Sequence, residues 1–295
     1  MEKKKNWFAK IWSRLPIVGE KLARISVIDL HGVISAASSG GQKGLSLSRL
    51  EDVIEDAFKP SELAAVALSI NSPGGSPVQS RLIFEEIRRR AEEDKIPVLA
   101  FIEDVGASGG YILALAGDEI YADESSIVGS IGVISGGFGF HEAIARIGVE
   151  RRVYTAGENK STLDPFRRED PADIARLETI LGDLHEKFIA LVKSRRGDKL
   201  SDDKDLFSGA FWAGEQARDL GLIDGNARLN EFLTARFGKD AKIKRYSPES
   251  GSLLKRLLGA RSNAVLAEAA PPGLVDPDAL LTTLEERALW ARFGR

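Results

Sequence analysis

Short apolar runs alternate with amphipathic stretches in the first half of the chain. Apolar and β-branched residues predominate at positions 25–34, 64–70 and 96–102, and each run has the length of a strand. Between these runs, residues 45–58 and 77–93 repeat apolar positions at helical spacing. Strands without polar alternation are typical of a sheet that is covered on both faces. The pattern therefore predicts an α/β fold with right-handed crossovers and a mostly parallel sheet.

Further strands and helices are predicted in the second half of the chain. The pattern indicates a strand at 149–154, a long amphipathic helix from Ile174, a strand at 242–246 and a terminal helix at 279–293. The apolar face of the long helix is expected to pack on the sheet or on a neighbouring subunit.

We expect one large domain over residues 23–247, a basic amphipathic segment before it (1–22) and a partly helical tail after it (248–295). The first segment carries aromatic residues at helical spacing among lysines: Trp7, Phe8 and Trp12. Such helices lie on anionic membrane surfaces, so peripheral membrane contact is one interpretation. Docking on the chain's own domain or on a neighbouring subunit explains the same pattern equally well.

Composition excludes several functional classes. The net charge of −3 leaves no basic excess to neutralise phosphates, so nucleic-acid binding is not expected. The chain has no cysteine, and its three histidines are not at metal-ligand spacing, so we expect neither a metal site nor a cofactor. Because no apolar run reaches about 18–20 residues and no signal peptide is evident, we expect a cytoplasmic protein, peripheral at most to the inner membrane face.

Two glycine-rich turns end successive predicted strands. Asn71-Ser72-Pro73-Gly74-Gly75 follows the second strand, and Gly106-Ala107-Ser108-Gly109-Gly110 follows the third. Because carboxyl ends of neighbouring parallel strands meet at one edge, we expect the turns to lie together. Ser108 precedes a predicted helix, whose free N–H groups and dipole favour a developing oxyanion, so it is the candidate nucleophile. Its motif alone also fits an ordinary helix N-cap.

Backbone N–H groups of the same turns are candidates for an oxyanion hole. Gly74 or Gly75 would supply one donor and Gly109 the other, because glycine leaves its N–H unshielded by a Cβ atom. A plain tight turn is the alternative for Gly74 and Gly75.

A serine nucleophile needs a base, and the sequence offers no obvious histidine. His31 falls on the first strand, His141 opens a short helix and His185 lies within the long helix. A lysine can serve when burial and neighbouring donors lower its pKa toward neutrality. Lys160 follows the strand predicted at 149–154, but the residues alone do not single it out among the 41 lysines and arginines, and a solvated loop charge is the alternative.

Four ordered motifs resemble those of the signal peptide peptidase A family, serine peptidases of family S49. The resemblance spans roughly residues 25–225 and rests on the following motifs: Asn71-Ser72-Pro73-Gly74-Gly75, Gly106-Ala107-Ser108-Gly109-Gly110-Tyr111, Gly129-Ser130-Ile131-Gly132-Val133 and Gly157-Glu158-Asn159-Lys160.

The resemblance implies a crotonase/Clp-protease-like fold with repeated ββα units and a Ser–Lys dyad. It makes Ser108 the nucleophile, Lys160 the base, 52 residues later (160 − 108), and Ser130 the serine that contacts the lysine amine. The implied reaction is hydrolysis of peptides, such as signal-peptide remnants or other membrane-associated or unfolded peptides, through an acyl-enzyme. It also implies a homo-oligomeric ring in which the serine and lysine of one site come from neighbouring protomers.

The chain departs from the family in one respect, and two other functions are compatible with the same motifs. Many members carry an N-terminal transmembrane anchor, which we do not expect here. A crotonase-type acyl-CoA enzyme would use paired glycine amides to hold a thioester enolate. A non-catalytic assembly or scaffold protein would use the same fold only to bind partners, and Ser130 would then merely support a glycine-flanked turn.

Overall fold

The computed structural model describes residues 22–36, 44–248, 284 and 287–294, and strands alternate with helices through its first half. The strands are β1 (Arg24–His31), β2 (Leu63–Ser72), β3 (Val98–Ala107), β4 (Glu119–Ala122), β5 (Ile127–Gly129), β6 (Phe211–Ala213), β7 (Gly225–Asn226) and β8 (Lys242–Tyr246). The helices are α1 (Leu47–Phe58), α2 (Pro77–Asp94), α3 (Gly109–Ala114), α4 (His141–Arg146), α5 (Pro171–Arg196), α6 (Gly214–Asp219) and α7 (Leu229–Phe237).

The strands of the described residues form one sheet in the order β6-β5-β3-β2-β1-β8. The two short strands β4 and β5 pair with successive parts of β3, and β7 pairs with β4. Each of these pairings is parallel except that of β5 with β6. The predicted α/β fold with a mostly parallel sheet is therefore confirmed.

Helices cover both faces of the central strands, which explains why β1, β2 and β3 lack polar alternation. On one face, Ile28, Leu68 and Ala100 belong to a core shared with α1, α2 and α3. On the other face, the neighbouring strand positions pack against Leu229 and Leu233 of α7. Fully burying one such side chain contributes about 1.5–3 kcal/mol, so this double layer stabilises the sheet that carries the site.

The strand predicted at 149–154 is wrong. These residues form no strand and are exposed, within a segment (132–170) that contains only α4 as a regular element. Several large apolar side chains of the segment face solvent, including Phe138 (78% exposed), Ile147 (74%) and Tyr154 (92%). A β-branched run becomes a strand only where another strand pairs with it, and no described strand lies beside this one.

Two other predicted features lie partly or wholly outside the described residues. The amphipathic segment with Trp7, Phe8 and Trp12 is outside them, and of the helix predicted at 279–293 the described part is helical at residues 284 and 287–291. No helix within the described ranges is long and apolar enough to cross a bilayer.

A buried ion pair fixes the helix that follows the candidate nucleophile. Arg196 at the end of α5 is 4% exposed and donates to Asp224 at 2.8 Å and to the Gly221 carbonyl at 2.8 Å. In the same turn, the Leu222 carbonyl accepts a 2.7 Å hydrogen bond from the buried Tyr111 hydroxyl of α3. Burial raises the pKa of Asp224, but hydrogen bonds from Arg196 and Lys199 outweigh it and leave the pKa below its ordinary value.

Arg196→Met should lower the free energy of unfolding at pH 7 by about 3 kcal/mol, because it leaves the buried carboxylate with Lys199 as its one cationic partner. A carboxyl with a lowered folded-state pKa stabilises the fold above its unfolded pKa, and this stabilisation is lost as the pH falls through the folded pKa. The difference between wild type and variant should therefore shrink below about pH 4. Urea unfolding at both pH values measures it.

The matched control is Arg218→Met, which removes an exposed guanidinium from Asp219. Its urea midpoint should equal that of wild type, since exposed pairs contribute little. An equal loss of unfolding free energy in both variants would show that the buried Arg196 pair stabilises the fold no more than an exposed pair does.

Candidate active site

Three neighbouring strands end at the same edge of the sheet and bring the predicted turns together. Ser72 of β2 pairs with Gly106 of β3, and Ala107 pairs with Gly129 of β5. The strand β3 thus continues through Ala107, beyond its predicted end at residue 102, because β5 supplies pairing partners for its last residues. Ser108 and Ser130 are consequently the next residues on adjacent strands.

The glycine turn after β2 packs directly against the candidate nucleophile. A Cβ atom added to Gly74 would lie 2.8 Å from the Gly109 nitrogen and 2.9 Å from the Ser108 Cβ atom. Gly74 has φ of 100°, a conformation that L-residues rarely adopt. The expected proximity of the two turns is therefore present in the fold, and glycine is what allows it.

Ser108 sits in a strained turn at the start of α3. Its φ and ψ are 52° and −122°, and its N–H donates to the Gly129 carbonyl at 2.8 Å. Strain of this kind persists at functional sites, where surrounding structure holds the residue in place. The Ser108 side chain makes no capping hydrogen bond to the helix. The ordinary N-cap role therefore does not explain this serine.

Two backbone N–H groups beside Ser108 are available as donors. The bridge between Ile34 and the glycine turn uses the Gly74 carbonyl and the Ser76 N–H, each at 2.8 Å, and leaves the Gly75 N–H outside it. Gly109 is the first residue of α3, so its N–H has no intrahelical acceptor. The Gly74 N–H already donates to the Ser72 hydroxyl at 3.3 Å. Geometry thus favours Gly75 with Gly109 as the donor pair.

Ser130 lies beside the nucleophile but is more enclosed. It follows Gly129 directly, is 4% exposed and also has a positive φ, of 53°. Its N–H donates to the Ala210 carbonyl at 2.7 Å, which fixes the turn. Two adjacent strand ends thus each place a serine in a left-handed conformation.

Lys160 lies in an exposed loop region, apart from the residues that line the cavity at Ser108. It lies in a turn of the exposed segment 132–170, where its N–H donates to the Gly157 carbonyl at 3.3 Å. Its side chain is exposed and is not among those that line the cavity at Ser108.

None of the three histidines lines the cavity at Ser108 either. His31 lies 3.0 Å from the buried Ser69 hydroxyl and 3.6 Å from Glu103, and hydrogen bonding to Glu103 raises its pKa. Ser69 in turn donates to Glu103 at 2.5 Å. His185 contacts the Ile131 carbonyl at 3.1 Å. A histidine base for Ser108 within the chain is thus absent from the described geometry.

A cavity of about 230 Å³ opens at Ser108, Gly75 and Gly109. Its apolar walls come from α3, from the turn after β5, from α5 and from the described tail: Ile112, Val133, Ile134, Leu184, Phe188, Leu191 and Leu289. The sequence pattern marked the α5 residues as an apolar helix face, but assigned that face to packing. Leu289 and Arg292 of the tail were not identified at all, because no local pattern connects them with Ser108.

Burial of Phe293 holds the tail against the strand that carries the nucleophile. It is 9% exposed, packs with Val105 and Ala107 of β3, and meets Phe211 edge-on with ring centroids 5.2 Å apart. The described tail therefore both lines the cavity and packs against β3.

A larger cavity of about 690 Å³ lies elsewhere on the domain. Glu103, Asp104, Arg228 and Arg245 are among its lining residues, and none of the residues predicted for catalysis lines it. The smaller cavity is the candidate active site, since it combines an unengaged serine with two backbone donors.

Comparison with known proteins identifies the family of the chain. The model of peptidase family S49 matches residues 90–244, which is more than half of the chain. Similar proteins include the Na(+)/H(+) antiporter NhaA of Brucella abortus (50% identical over 92% of this chain), Protease 4 of Haemophilus influenzae (32% over 70%) and the chloroplastic serine protease SPPA of Arabidopsis thaliana (27% over 86%). The chain spans 37%, 33% and 39% of their respective lengths. The match to the family model shows that the chain belongs to peptidase family S49.

Proposed function

We propose that this chain is a serine peptidase that cleaves peptide bonds through an acyl-enzyme, with Ser108 as the nucleophile. The observation that carries the proposal is the combination at one helix start of a strained serine, free of any capping bond, with the N–H groups of Gly75 and Gly109. Membership of family S49 supports the same reaction.

The proposed reaction uses these groups together with Lys160. The Ser108 Oγ attacks the substrate carbonyl carbon while the Lys160 amine takes its proton. The carbonyl oxygen becomes an oxyanion, which the Gly75 and Gly109 N–H groups stabilise. Collapse expels the amine, which receives the proton from Lys160. Water, deprotonated by the same lysine, attacks the carbonyl carbon of the ester; the bond between the Ser108 Oγ and the acyl carbon then breaks, and Lys160 returns the proton to the Ser108 Oγ. In this scheme Ser130 holds the lysine amine in position.

Lys160 is supplied by a second copy of the chain in this proposal. The exposed segment 132–170 carries Lys160 together with exposed apolar side chains, among them Phe138, Ile147 and Tyr154. Exposed apolar surface of this kind is typical of protein interfaces. A homo-oligomer in which this segment reaches a neighbour's Ser108 would bury the apolar side chains and complete the dyad together.

An acyl-CoA enzyme of the same fold is the second candidate, because paired glycine N–H groups also stabilise an enolate. The unengaged Ser108 hydroxyl beside those donors favours acyl transfer to serine instead. A scaffold protein without activity would not require an unengaged serine hydroxyl beside two backbone N–H donors. The antiporter name gives no reason to propose transport for this chain. The matched region is 37% of that relative's length, whereas the model of peptidase family S49 matches residues 90–244 of this chain.

Ser108→Ala and Lys160→Ala should each lower peptide hydrolysis by about 10³-fold or more, because each removes one half of the dyad. Lys204→Ala is the control, since Lys204 is also an exposed lysine in a turn and lies outside the site. Covalent labelling by serine-directed inhibitors should disappear in Ser108→Ala. Full hydrolysis in either dyad variant would contradict the proposal, and CoA-dependent activity indifferent to Ser108→Ala would favour the second candidate.

Mixing the two inactive variants tests the shared site. If the lysine comes from a neighbour, random co-assembly pairs an intact serine with an intact lysine in about a quarter of sites, so about a quarter of wild-type activity should return. Each variant alone is the baseline. No recovery after dissociation and reassembly would place both residues in one chain.

Gly75→Ala should abolish hydrolysis and weaken the fold, because a Cβ atom there would overlap the Ile34 carbonyl oxygen and displace the donor N–H. Gly182→Ala is the control: Gly182 lies in α5 with no atom within 4 Å of an added Cβ, so activity should persist. Alanine should raise stability there by about 0.5–1 kcal/mol. Activity per folded molecule and urea midpoints measure both. Retained activity in Gly75→Ala would exclude its N–H from the oxyanion hole.

We also propose that substrates are signal-peptide remnants or other membrane-associated or unfolded peptides, and that Trp7, Phe8 and Trp12 bring the enzyme to anionic membranes. Removing residues 1–22 should then abolish co-sedimentation with phosphatidylserine vesicles while leaving hydrolysis of a free peptide intact. Vesicle binding unchanged by the deletion would overturn the docking role.

A further inference from the structure

We propose that the cavity at Ser108 contains a binding subsite for a substrate carboxylate, formed by Arg81, Lys187 and Arg292. The proposal rests on the proposed peptidase function and adds a substrate class to it. These three cationic residues line the cavity, and no acidic side chain of the described residues does. An acidic or carboxylate-terminated peptide is the ligand that this charge distribution fits.

The three cations come from three separate parts of the fold. Arg81 lies in α2, Lys187 in α5 one residue before the wall residue Phe188, and Arg292 in the tail beside the buried Phe293. Because Phe293 is anchored on β3, Arg292 is held at the cavity despite its distance along the chain from Ser108. The convergence is therefore a product of the tertiary structure.

Two of the cations are available to a ligand. Within the described residues, Lys187 and Arg292 have no carboxylate within ion-pair distance, and the Arg292 guanidinium lies 5.8 Å from the centroid of the Phe293 ring. Arg81 is partly neutralised, because it pairs with Glu85 at 2.7 Å. The net charge around the cavity is thus positive and rests mainly on Lys187 and Arg292.

The apolar walls of the cavity add a second requirement for the peptide ligand. Ile112, Phe188, Leu191 and Leu289 make the interior apolar, so an apolar side chain of the peptide fills it while the carboxylate stays among the cations. Apolar walls lower the local dielectric and strengthen the attraction between the cations and an anion. Ammonium and guanidinium groups form charge-assisted hydrogen bonds with carboxylates, and the guanidinium can do so with two parallel bonds.

The carboxylate has two chemical sources, an acidic side chain or the free C-terminus of a peptide. Two pairs of fluorescent peptides with an apolar residue at the cleaved bond separate them. One pair differs by Glu against Gln, and the other by a free against an amidated C-terminus. Binding to full-length Ser108→Ala is measured by anisotropy, and hydrolysis by full-length wild type is measured as kcat/KM.

The carboxylate member of at least one pair should bind several-fold more tightly, and this preference should fall as salt rises. Lys187→Gln and Arg292→Gln, each introduced in the Ser108→Ala background, should each reduce the preference about two- to fivefold. Lys193→Gln is the matched control, since Lys193 lies on the same helix over the Phe207 ring and does not line the cavity. When the same two substitutions are made with Ser108 intact, the loss in hydrolysis should fall on KM rather than on kcat.

Equal binding of both members in both pairs would overturn the subsite. An equal loss of the preference in Lys193→Gln would also overturn the subsite, because the effect would then reflect the overall charge of the protein instead of the cavity. Hydrolysis of all four peptides at equal kcat/KM would refute the carboxylate subsite and still support the peptidase function. Selective binding without hydrolysis by wild type would instead support the subsite and refute the peptidase function.

Discussion

The parallel register of β2, β3 and β5 is the constraint on which the site depends. Pairing of Ser72 with Gly106 and of Ala107 with Gly129 brings three strand ends to one edge of the sheet. Ser108, Ser130 and the glycine turn then follow at that edge. A register slip of one residue would turn the alternating side chains to opposite faces, so the buried layers on both sides of the sheet also protect the geometry of the site.

The nucleophile and its proposed base lie in regions of opposite character. Ser108 is held by a strained turn above a fully buried core, whereas Lys160 lies in an exposed segment with apolar side chains in solvent. This contrast has a physical consequence, since burying the exposed apolar side chains at an interface between copies would also bring Lys160 out of bulk water. In the proposal, assembly and activation of the serine are therefore one event.

The tail and α5 show how distant parts of the chain shape a site whose chemistry is local. Leu184, Phe188 and Leu191 form the apolar stripe of a helix, and Leu289 closes the cavity from the C-terminal end. The buried pair of Arg196 and Asp224 anchors the end of the same helix beside Tyr111 of α3. Helix α5 therefore connects the wall of the cavity with the helix whose first N–H is the proposed oxyanion donor.

The sequence by itself determined the α/β class, the parallel sheet and the two turns at one edge, because strand periodicity and glycine positions are local signals. Three features were decided only by tertiary structure. Pairing with β5 extended β3 to Ala107, and lack of a partner left residues 149–154 outside the sheet. Contact between the tail and β3 brought Leu289 and Arg292 to the cavity. Each depends on which distant segments meet, and local residue patterns do not encode such contacts.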